Sequence, residues 1–203
     1  EGDSDGLHRS KLKKMGWHSS DTAELQYDGV RVPAENVIGQ DGMGFYYIMD
    51  SFQIERLAGA LLSVGAMRGI LDMTLQYMQE REAFGRPIAK FQALRHRMAD
   101  LATEVEACAQ LVYHTSWLFA EGEFAVKEAS MCKLHAAELQ KKVADECLQM
   151  FGGYGYMEEY PIARAYRDTR VGTIAGGTSE IMREIIAKMV IDDKVYSTAY
   201  GTG

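Results

Sequence analysis

The stretch AVKEASMCKLHAAELQKKVADECLQMFGG, residues 125–153, decides the fold. Its apolar side chains recur at steps of three and four residues, namely Ala125, Ala129, Cys132, Ala136, Leu139, Val143, Cys147 and Met150. This period matches one face of an α-helix. Gly152 and Gly153 end the pattern, because glycine readily adopts the conformation that terminates a helix. The stretch therefore predicts a long helix that buries one face.

Two further stripes of the same period precede this stretch. The first begins at Gly44, reaches about Glu80 and is broken by Gly85 and Pro87; its face is Ile54, Leu57, Leu61 and Val64. The second carries Leu94, Met98, Leu101, Val105, Cys108 and Val112, and it ends before Glu121-Gly122-Glu123. Long helices joined by short links favour antiparallel packing.

Two shorter helices follow the long ones. Pro161 suits the first turn of a helix that reaches about Arg170. Thr178 suits the N-cap of a last helix with one apolar face formed by Ile181, Ile185 and Met189. The predicted fold is mainly α, an antiparallel four-helix bundle.

The segment before the bundle has a different pattern. Leu25-Gln26-Tyr27 and Val30-Arg31-Val32 flank Asp28-Gly29, a dipeptide suited to a tight hairpin turn. The sequence predicts a β-hairpin there, after an exposed lead-in over residues 1–10. Two strands alone are marginal in water, so we expect the hairpin to belong to a larger sheet that this chain does not contain, or to pack on the helices.

Composition narrows the classes of function. A net charge of −7 over 203 residues argues against general nucleic-acid binding. We find no unbroken apolar window long enough for a bilayer and expect no membrane span. Three widely spaced cysteines do not form a disulfide framework, which favours buried free thiols in a reducing compartment. Cys132 and His135 lack a second ligand pair, and the Glu-x-x-His pairs of a di-iron bundle are missing, so no metal site is expected.

Four local features could carry chemistry, and each has a plain structural alternative. Glu55, at the edge of an apolar stripe, could be a base whose pKa is raised by desolvation, or a solvated side chain beside Arg56. Arg81 and Gln92 could hold a phosphate, or they could belong to an ordinary helix stop.

The other two features are rich in glycine. Residues 149–155, QMFGGYG, could let the backbone approach a ligand or could form a C-cap. Residues 176–180, GGTSE, could offer free N–H groups to an oxyanion or a thioester, or could form a capped turn.

The order and spacing of several motifs resemble those of the acyl-CoA dehydrogenase family. The C-terminal signature consists of Gly152-Gly153-Tyr154-Gly155-Tyr156, Tyr160-Pro161, Arg167-Asp168 and Gly176-Gly177-Thr178-Ser179-Glu180. Arg81-Glu82-Ala83-Phe84-Gly85 with Gln92 resembles a flavin-contacting segment. The end of the family's middle β-domain is matched by Lys14-Met15-Gly16-Trp17, Asp21-Thr22 and Val30-Arg31-Val32-Pro33.

The resemblance implies a domain organisation and a reaction. Residues 1–39 would be the end of the middle β-domain, and residues 40–203 the C-terminal helical bundle, so the chain would be a truncated fragment. The implied activity is FAD-dependent α,β-dehydrogenation of an acyl-CoA thioester, with electron-transfer flavoprotein as the oxidant of the reduced flavin. A homo-oligomer, dimer or tetramer, is also implied. The implied compartment is the bacterial cytoplasm or, alternatively, the mitochondrial matrix.

The resemblance also assigns residues. FAD would be contacted by Arg81, Ala83, Phe84, Gln92, Thr178 and Glu180, and an FAD held by a neighbouring subunit by Gln149, Gly152 and Gly153. The substrate would be contacted by Arg56, Gly176 and Gly177, with the Gly176 N–H helping to polarise the thioester carbonyl.

One departure from the family pattern decides the base. Many members carry the catalytic glutamate directly before the Gly-Thr of the last motif, where this chain has Gly176. The branch with isovaleryl- and long-chain-type enzymes carries it on the first bundle helix, where this chain has Glu55-Arg56. The resemblance therefore implies that Glu55 is the base. An acyl-CoA oxidase, a flavin monooxygenase or a non-catalytic helical assembly module remain as alternatives.

Overall fold

The computed structural model describes residues 2–198. Residue 1 of the predicted segment 1–39 and residues 199–203 of the predicted segment 40–203 lie outside the described range. The helices are α1 (Gly44–Glu80), α2 (Gln92–Ala120), α3 (Val126–Phe151), α4 (Pro161–Thr169) and α5 (Ser179–Val190). The strands are β1 (Leu7–Lys11), β2 (Ala23–Tyr27), β3 (Glu82–Ala83) and β4 (Arg86–Pro87). The prediction of a mainly helical bundle is confirmed.

The three long helices alternate in direction. α1 and α3 run parallel to each other, and α2, which connects them in the chain, runs antiparallel to both. Hydrogen bonds of side chains show these directions: Ser63–Gln140 and Tyr77–Phe151 join α1 and α3, and Cys132–Thr115 and Lys142–Glu104 join α3 and α2. α4 and α5 both pack on α3. The beginnings of α1 and α3 consequently lie at the same end of the bundle.

The core forms where the three long helices meet. Its fully buried side chains include Met67 on α1, Leu101 on α2 and Val143 on α3. All three cysteines are buried and free, as predicted. The predicted stripe of α3 is buried along its whole length, from Ala125 to Met150.

The stripe predicted for α1 is wrong in part. Ile54 is 65% exposed and Leu61 is 39% exposed, whereas Ala60 and Met67 are buried with Leu57 and Val64. In α5, Ile181 is exposed and Met182 is buried in its place. Both helices carry apolar residues on two neighbouring faces, so the pattern did not determine which face packs inward.

The predicted hairpin pairs different strands. β2 contains Leu25, Gln26 and Tyr27 as expected, but its antiparallel partner is β1, which pairs Leu7 with Tyr27 and Lys11 with Ala23. Val30 to Val32 form no strand, and residues 7–10 are not a simple lead-in. The Asp28 N–H donates to the carbonyl of Gly6 at 2.9 Å. Pairing with this distant segment prevails over the local turn signal.

By length and composition, α1 is the one helix within residues 2–198 that could cross a membrane, which the sequence analysis did not anticipate. It spans 37 residues, and its most apolar window has a mean hydropathy of 1.2 with 33% of that window buried. Its buried residues pack against α3, as those of a bundle core helix do.

Candidate active site

A cavity of about 610 Å³ lies between α1, α3 and the segment that runs from α4 to Gly176. Glu55 and Arg56 contribute to its wall from α1, and Gly176 contributes from the turn before α5. A base at position 55 and a thioester contact at position 176 can act on one substrate only if they share a cleft, and both residues line this cavity. Most of the remaining wall is apolar and is made of small side chains such as Gly59, Ala66 and Ala137.

Glu55 is exposed, although the two residues after it, Arg56 and Leu57, are buried. Helical geometry explains the contrast, because successive residues point about 100° apart around the axis. The carboxylate therefore lies at the rim of the buried stripe and reaches the cavity from the solvent side. A base in this position could accept a proton from a molecule bound in the cavity.

Arg56 is buried, with 7% of its surface exposed. Its Nε donates to the carbonyl of Gly176 at 3.3 Å, and its Nη1 donates to Oε1 of Gln53 at 3.3 Å. Burial lowers the pKa of Arg56, and the neighbouring charge of Glu55 opposes that shift. Arg56, which the resemblance assigns to substrate binding, thus also binds the glycine turn before α5.

Lys133 is a second buried cation at this site, and the sequence analysis missed it. It lies on α3 with 7% of its surface exposed, and its Nζ donates to the carbonyl of Gly177 at 2.5 Å. Burial lowers the pKa of Lys133, and the charge of Arg56 lowers it further. A signal was present in the sequence: Lys133 lies four residues after Ala129 and three before Ala136, within the apolar stripe of α3.

The glycine turn precedes the N-terminus of α5. Gly176 and Gly177 have φ angles of +66° and +102°, which only glycine adopts without strain. Thr178 is the N-cap, as predicted, and its hydroxyl accepts from the Ile181 N–H at 3.3 Å. Hydrogen bonds from its own backbone N–H and from Thr178 lower the pKa of Glu180. The Glu180 carboxylate therefore interacts favourably with the N-terminus of α5.

A second groove, of about 610 Å³, lies at the opposite end of the bundle. It brings together four of the predicted cofactor residues, Arg81, Gln149, Gly152 and Gly153. The Arg81 guanidinium lies 5.4 Å from the centroid of the Tyr154 ring. A Cβ added at Gly152 or at Gly153 would meet nothing within 4 Å, so a ligand can approach this backbone closely.

Ala83 and Phe84 belong to a short hairpin next to this groove. Phe84 and Gly85 both have positive φ angles, of 53° and 77°, and they form the two-residue turn between β3 and β4. The turn presents the Phe84 ring with 95% of its surface exposed. Gln92, the first residue of α2, is exposed as well.

The two groups of predicted residues are far apart in one chain. Glu55 lies within α1 and Arg81 directly follows its C-terminal end; their separation of 26 residues corresponds to roughly 39 Å along a helix. Thr178 and Glu180 lie at the Glu55 end, beside the glycine turn. Within residues 2–198, no group of three or more His, Cys, Asp or Glu side chains is arranged to hold a metal ion.

Comparison with known proteins places this geometry in a family. The chain is 44% identical over 190 residues to the long-chain specific acyl-CoA dehydrogenase of mouse mitochondria, covering 90% of the chain and 43% of that protein. It is 39% identical over 191 residues to the bovine mitochondrial short/branched chain specific acyl-CoA dehydrogenase, covering 94% and 44%.

A solved structure agrees with these relatives. The crystal structure of an acyl-CoA dehydrogenase from Geobacillus kaustophilus superposes with a TM-score of 0.92 at 43% identity, covering 94% of this chain and 50% of that one. The chain thus spans about half the length of the proteins it matches. Residues 42–191 match the family profile of the acyl-CoA dehydrogenase C-terminal domain, and the chain belongs to the acyl-CoA dehydrogenase family.

Proposed function

We propose that the protein of which this chain forms part catalyses α,β-dehydrogenation of an acyl-CoA thioester, with FAD as cofactor and Glu55 as the base. The observation that carries the proposal is the shared cavity, which Glu55 and Gly176 both line within a domain of this family. The absence of a side chain at Gly176 supports Glu55 as the acid–base group, because no other carboxylate lies at the family's alternative position.

The residues of this chain divide the work as follows. Glu55 takes the α-proton of the acyl group, a hydride leaves the β-carbon, and the two carbons form a double bond. FAD, when bound, supplies the acceptor for the hydride. The Gly176 N–H donates to the thioester oxygen, where negative charge grows as the α-proton leaves. A fixed backbone donor at that position lowers the barrier more than it strengthens binding of the ground state.

The chain's own residues fit a flavin dinucleotide in two places. The groove of Arg81, Gln149, Gly152 and Gly153 offers a cation and an open backbone for a phosphate-bearing ligand. Thr178 and Glu180 lie at the other end of the bundle. One dinucleotide does not span the roughly 39 Å of α1 that separates these two places, so each FAD would contact two copies of the chain. We infer a homo-oligomer on this ground.

The cavity also suggests the kind of acyl group. It follows α1 from Glu55 to Ile70, which is 15 residues or about 22 Å. An extended alkyl chain, with bonds near 1.5 Å and angles near 111°, advances roughly 1.25 Å per carbon, so about 14 to 18 carbons would fit. Gly59 and Ala66 line this path without bulky side chains. We propose a long-chain acyl-CoA as the preferred substrate.

Replacement of the base tests the proposal. In the full-length protein, Glu55→Gln is expected to lower kcat by about 10²–10⁴-fold, the usual contribution of a general base. FAD content and acyl-CoA binding should stay unchanged, because the amide keeps the size of the side chain. Exchange of the substrate α-proton with D2O should be lost in parallel. The control is Glu121→Gln, which removes an exposed carboxylate at the same end of the bundle but outside the cavity.

Turnover of Glu55→Gln near that of the control would remove Glu55 from the mechanism. Colourless protein that takes up no added FAD would instead favour the helical assembly module. Stopped-flow reoxidation of the reduced enzyme by electron-transfer flavoprotein, compared with reoxidation in air, would separate a dehydrogenase from an oxidase or a monooxygenase. We place the domain boundary near residue 40 and the enzyme in the bacterial cytoplasm or the mitochondrial matrix; fractionation of the source cells tests the compartment.

A further inference from the structure

Two buried cations converge on the glycine turn of the candidate active site. Arg56 reaches the carbonyl of Gly176 from α1, and Lys133 reaches the carbonyl of Gly177 from α3. Each has 7% of its surface exposed. Within residues 2–198, neither forms a salt bridge with a carboxylate. Consecutive carbonyl oxygens of one turn are therefore bound by two separate cations.

This arrangement is unfavourable for folding. Charged groups lose hydration free energy on burial, and two like charges near each other repel. Both effects lower the pKa of Lys133, while Glu180 and Glu138 oppose them from α5 and α3. Methionine, with a side chain of similar length, would fill the same space in α3 without this cost. A structural feature that is retained against such a cost is expected at a functional site.

The turn itself explains what the cations could do. Gly176 and Gly177 are adjacent glycines, the most conformationally free pair that a chain can have. Because a peptide unit is planar, fixing a carbonyl oxygen also fixes the N–H on the other side of that unit. The two bound carbonyls fix the peptide units on both sides of the Gly177 α-carbon. The Gly176 N–H belongs to the preceding unit, which joins this fixed pair at the Gly176 α-carbon, and the Ala175 N–H that precedes it donates to the carbonyl of Val171 at 2.9 Å. Within the described residues, the Gly176 N–H donates to no protein acceptor.

We propose that Lys133, together with Arg56, is a positioning residue that holds the Gly176–Gly177 turn so that its backbone N–H meets the thioester carbonyl of the substrate. The proposal rests on the proposed function, since it needs a thioester in the cavity. Lys133 lies behind the turn on α3 and acts through the Gly177 carbonyl. Its charge-assisted hydrogen bond supplies the rigidity that two adjacent glycines lack.

The test uses the full-length protein with FAD and compares Lys133→Met, Lys133→Arg and Lys133→Gln. The first readout is the absorption of a bound conjugated enoyl-CoA, which shifts to longer wavelength when its thioester carbonyl is polarised. The second is the separation of kcat from KM. Lys133→Met is expected to abolish the shift and to lower kcat by about 100-fold, as for a group misplaced by about 1 Å. KM and FAD content should change little.

Conservative variants separate positioning from simple stability. Lys133→Arg keeps a charged donor and should restore most of the shift and of kcat. Lys133→Gln keeps a neutral donor, should give intermediate values, and carries the test if Lys133→Met does not fold. The matched control is Lys142→Met. Lys142 lies on α3, as Lys133 does, and its replacement removes a surface ion pair with Glu104 of α2, so both readouts should stay unchanged.

Three outcomes are decisive. Loss of the spectral shift in Lys133→Met with recovery in Lys133→Arg supports the positioning role. A Lys133→Met or Lys133→Gln protein that melts at a lower temperature but keeps the full shift and kcat overturns it, because the lysine would then be structural. A wild-type protein that neither dehydrogenates acyl-CoA nor shifts the enoyl-CoA spectrum overturns the proposed function first, and the positioning role with it.

Discussion

α1 and α3 are parallel neighbours that differ in how much of their surface is buried. Thirteen of the 26 residues of α3 are buried, against nine of the 37 residues of α1, so α3 is the central helix of the bundle. α1 buries one face on α3 and leaves large apolar side chains on another, including Ile54 and Leu62 at 65% and 75% exposure.

The difference indicates that the two helices serve different partners. The apolar stripe of α3 is fully used within this chain. The outer face of α1 carries exposed apolar side chains, and Glu55 lies at the border between this face and the cavity. An exposed apolar face of this kind is typical of a surface that another part of a protein or a partner covers.

The largest expected effect concerns thiol reactivity. Cys108, Cys132 and Cys147 lie on α2 and α3, and burial raises the pKa of Cys108 to about 11. The native thiols should react with Ellman's reagent at least about 10³-fold more slowly than in denaturant, because reaction requires opening of the core. A cysteine placed by Ile54→Cys on the outer face of α1 should react rapidly in this chain.

In the full-length protein, the same Ile54→Cys thiol should become protected if a part of the protein outside this chain covers the outer face of α1. Fast labelling of Ile54→Cys in the full-length protein would disprove that coverage. Fast labelling of any native cysteine in the folded chain would contradict the close packing of α3.

The second expected effect compares two faces of α1 by stability. Met67 is fully buried, so Met67→Ala should lower the free energy of unfolding by about 2–5 kcal/mol. Ile54→Ala in this chain should change it by no more than about 0.5 kcal/mol. Urea denaturation followed by circular dichroism measures both. Equal losses would mean that the buried face of α1 has been assigned incorrectly.

The smallest expected effect concerns substrate preference. Ala66 lines the cavity eleven residues beyond Glu55, and Ala66→Phe should obstruct the far part of the acyl path. In the full-length protein, kcat/KM should fall by about 10- to 100-fold for a long acyl-CoA and stay unchanged for a four-carbon one. Ala107→Phe, at an exposed site on α2, is the control. An equal loss for both chain lengths would argue against an acyl path along α1.

The contrast between α1 and α3 also explains what could be predicted from the sequence. Helix ends were predictable because local chemistry sets them: Gly122 and Gly152 follow the ends of α2 and α3, Pro161 opens α4 and Thr178 caps α5. The stripe of α3 was predictable because this helix has a single apolar face, and that face must be buried.

Features that depend on distant contacts were harder to predict. Two apolar faces on α1 gave no local reason to bury Met67 instead of Ile54. The partner of β2 is β1, which precedes it in the chain, so the turn signal that follows β2 at Asp28-Gly29 pointed to the wrong partner. Lys133 was missed because a lysine within an apolar stripe shows its role only when the Gly177 carbonyl is seen beside it.

A crystal structure of the full-length protein with FAD and a non-reactive acyl-CoA analogue would test the central claim most directly. We expect the Glu55 carboxylate within about 3–3.5 Å of the substrate α-carbon, and the Gly176 N–H within hydrogen-bonding distance of the thioester oxygen. A thioester bound away from the α1–Gly176 cavity, or a Glu55 side chain directed to bulk solvent in that complex, would contradict the account.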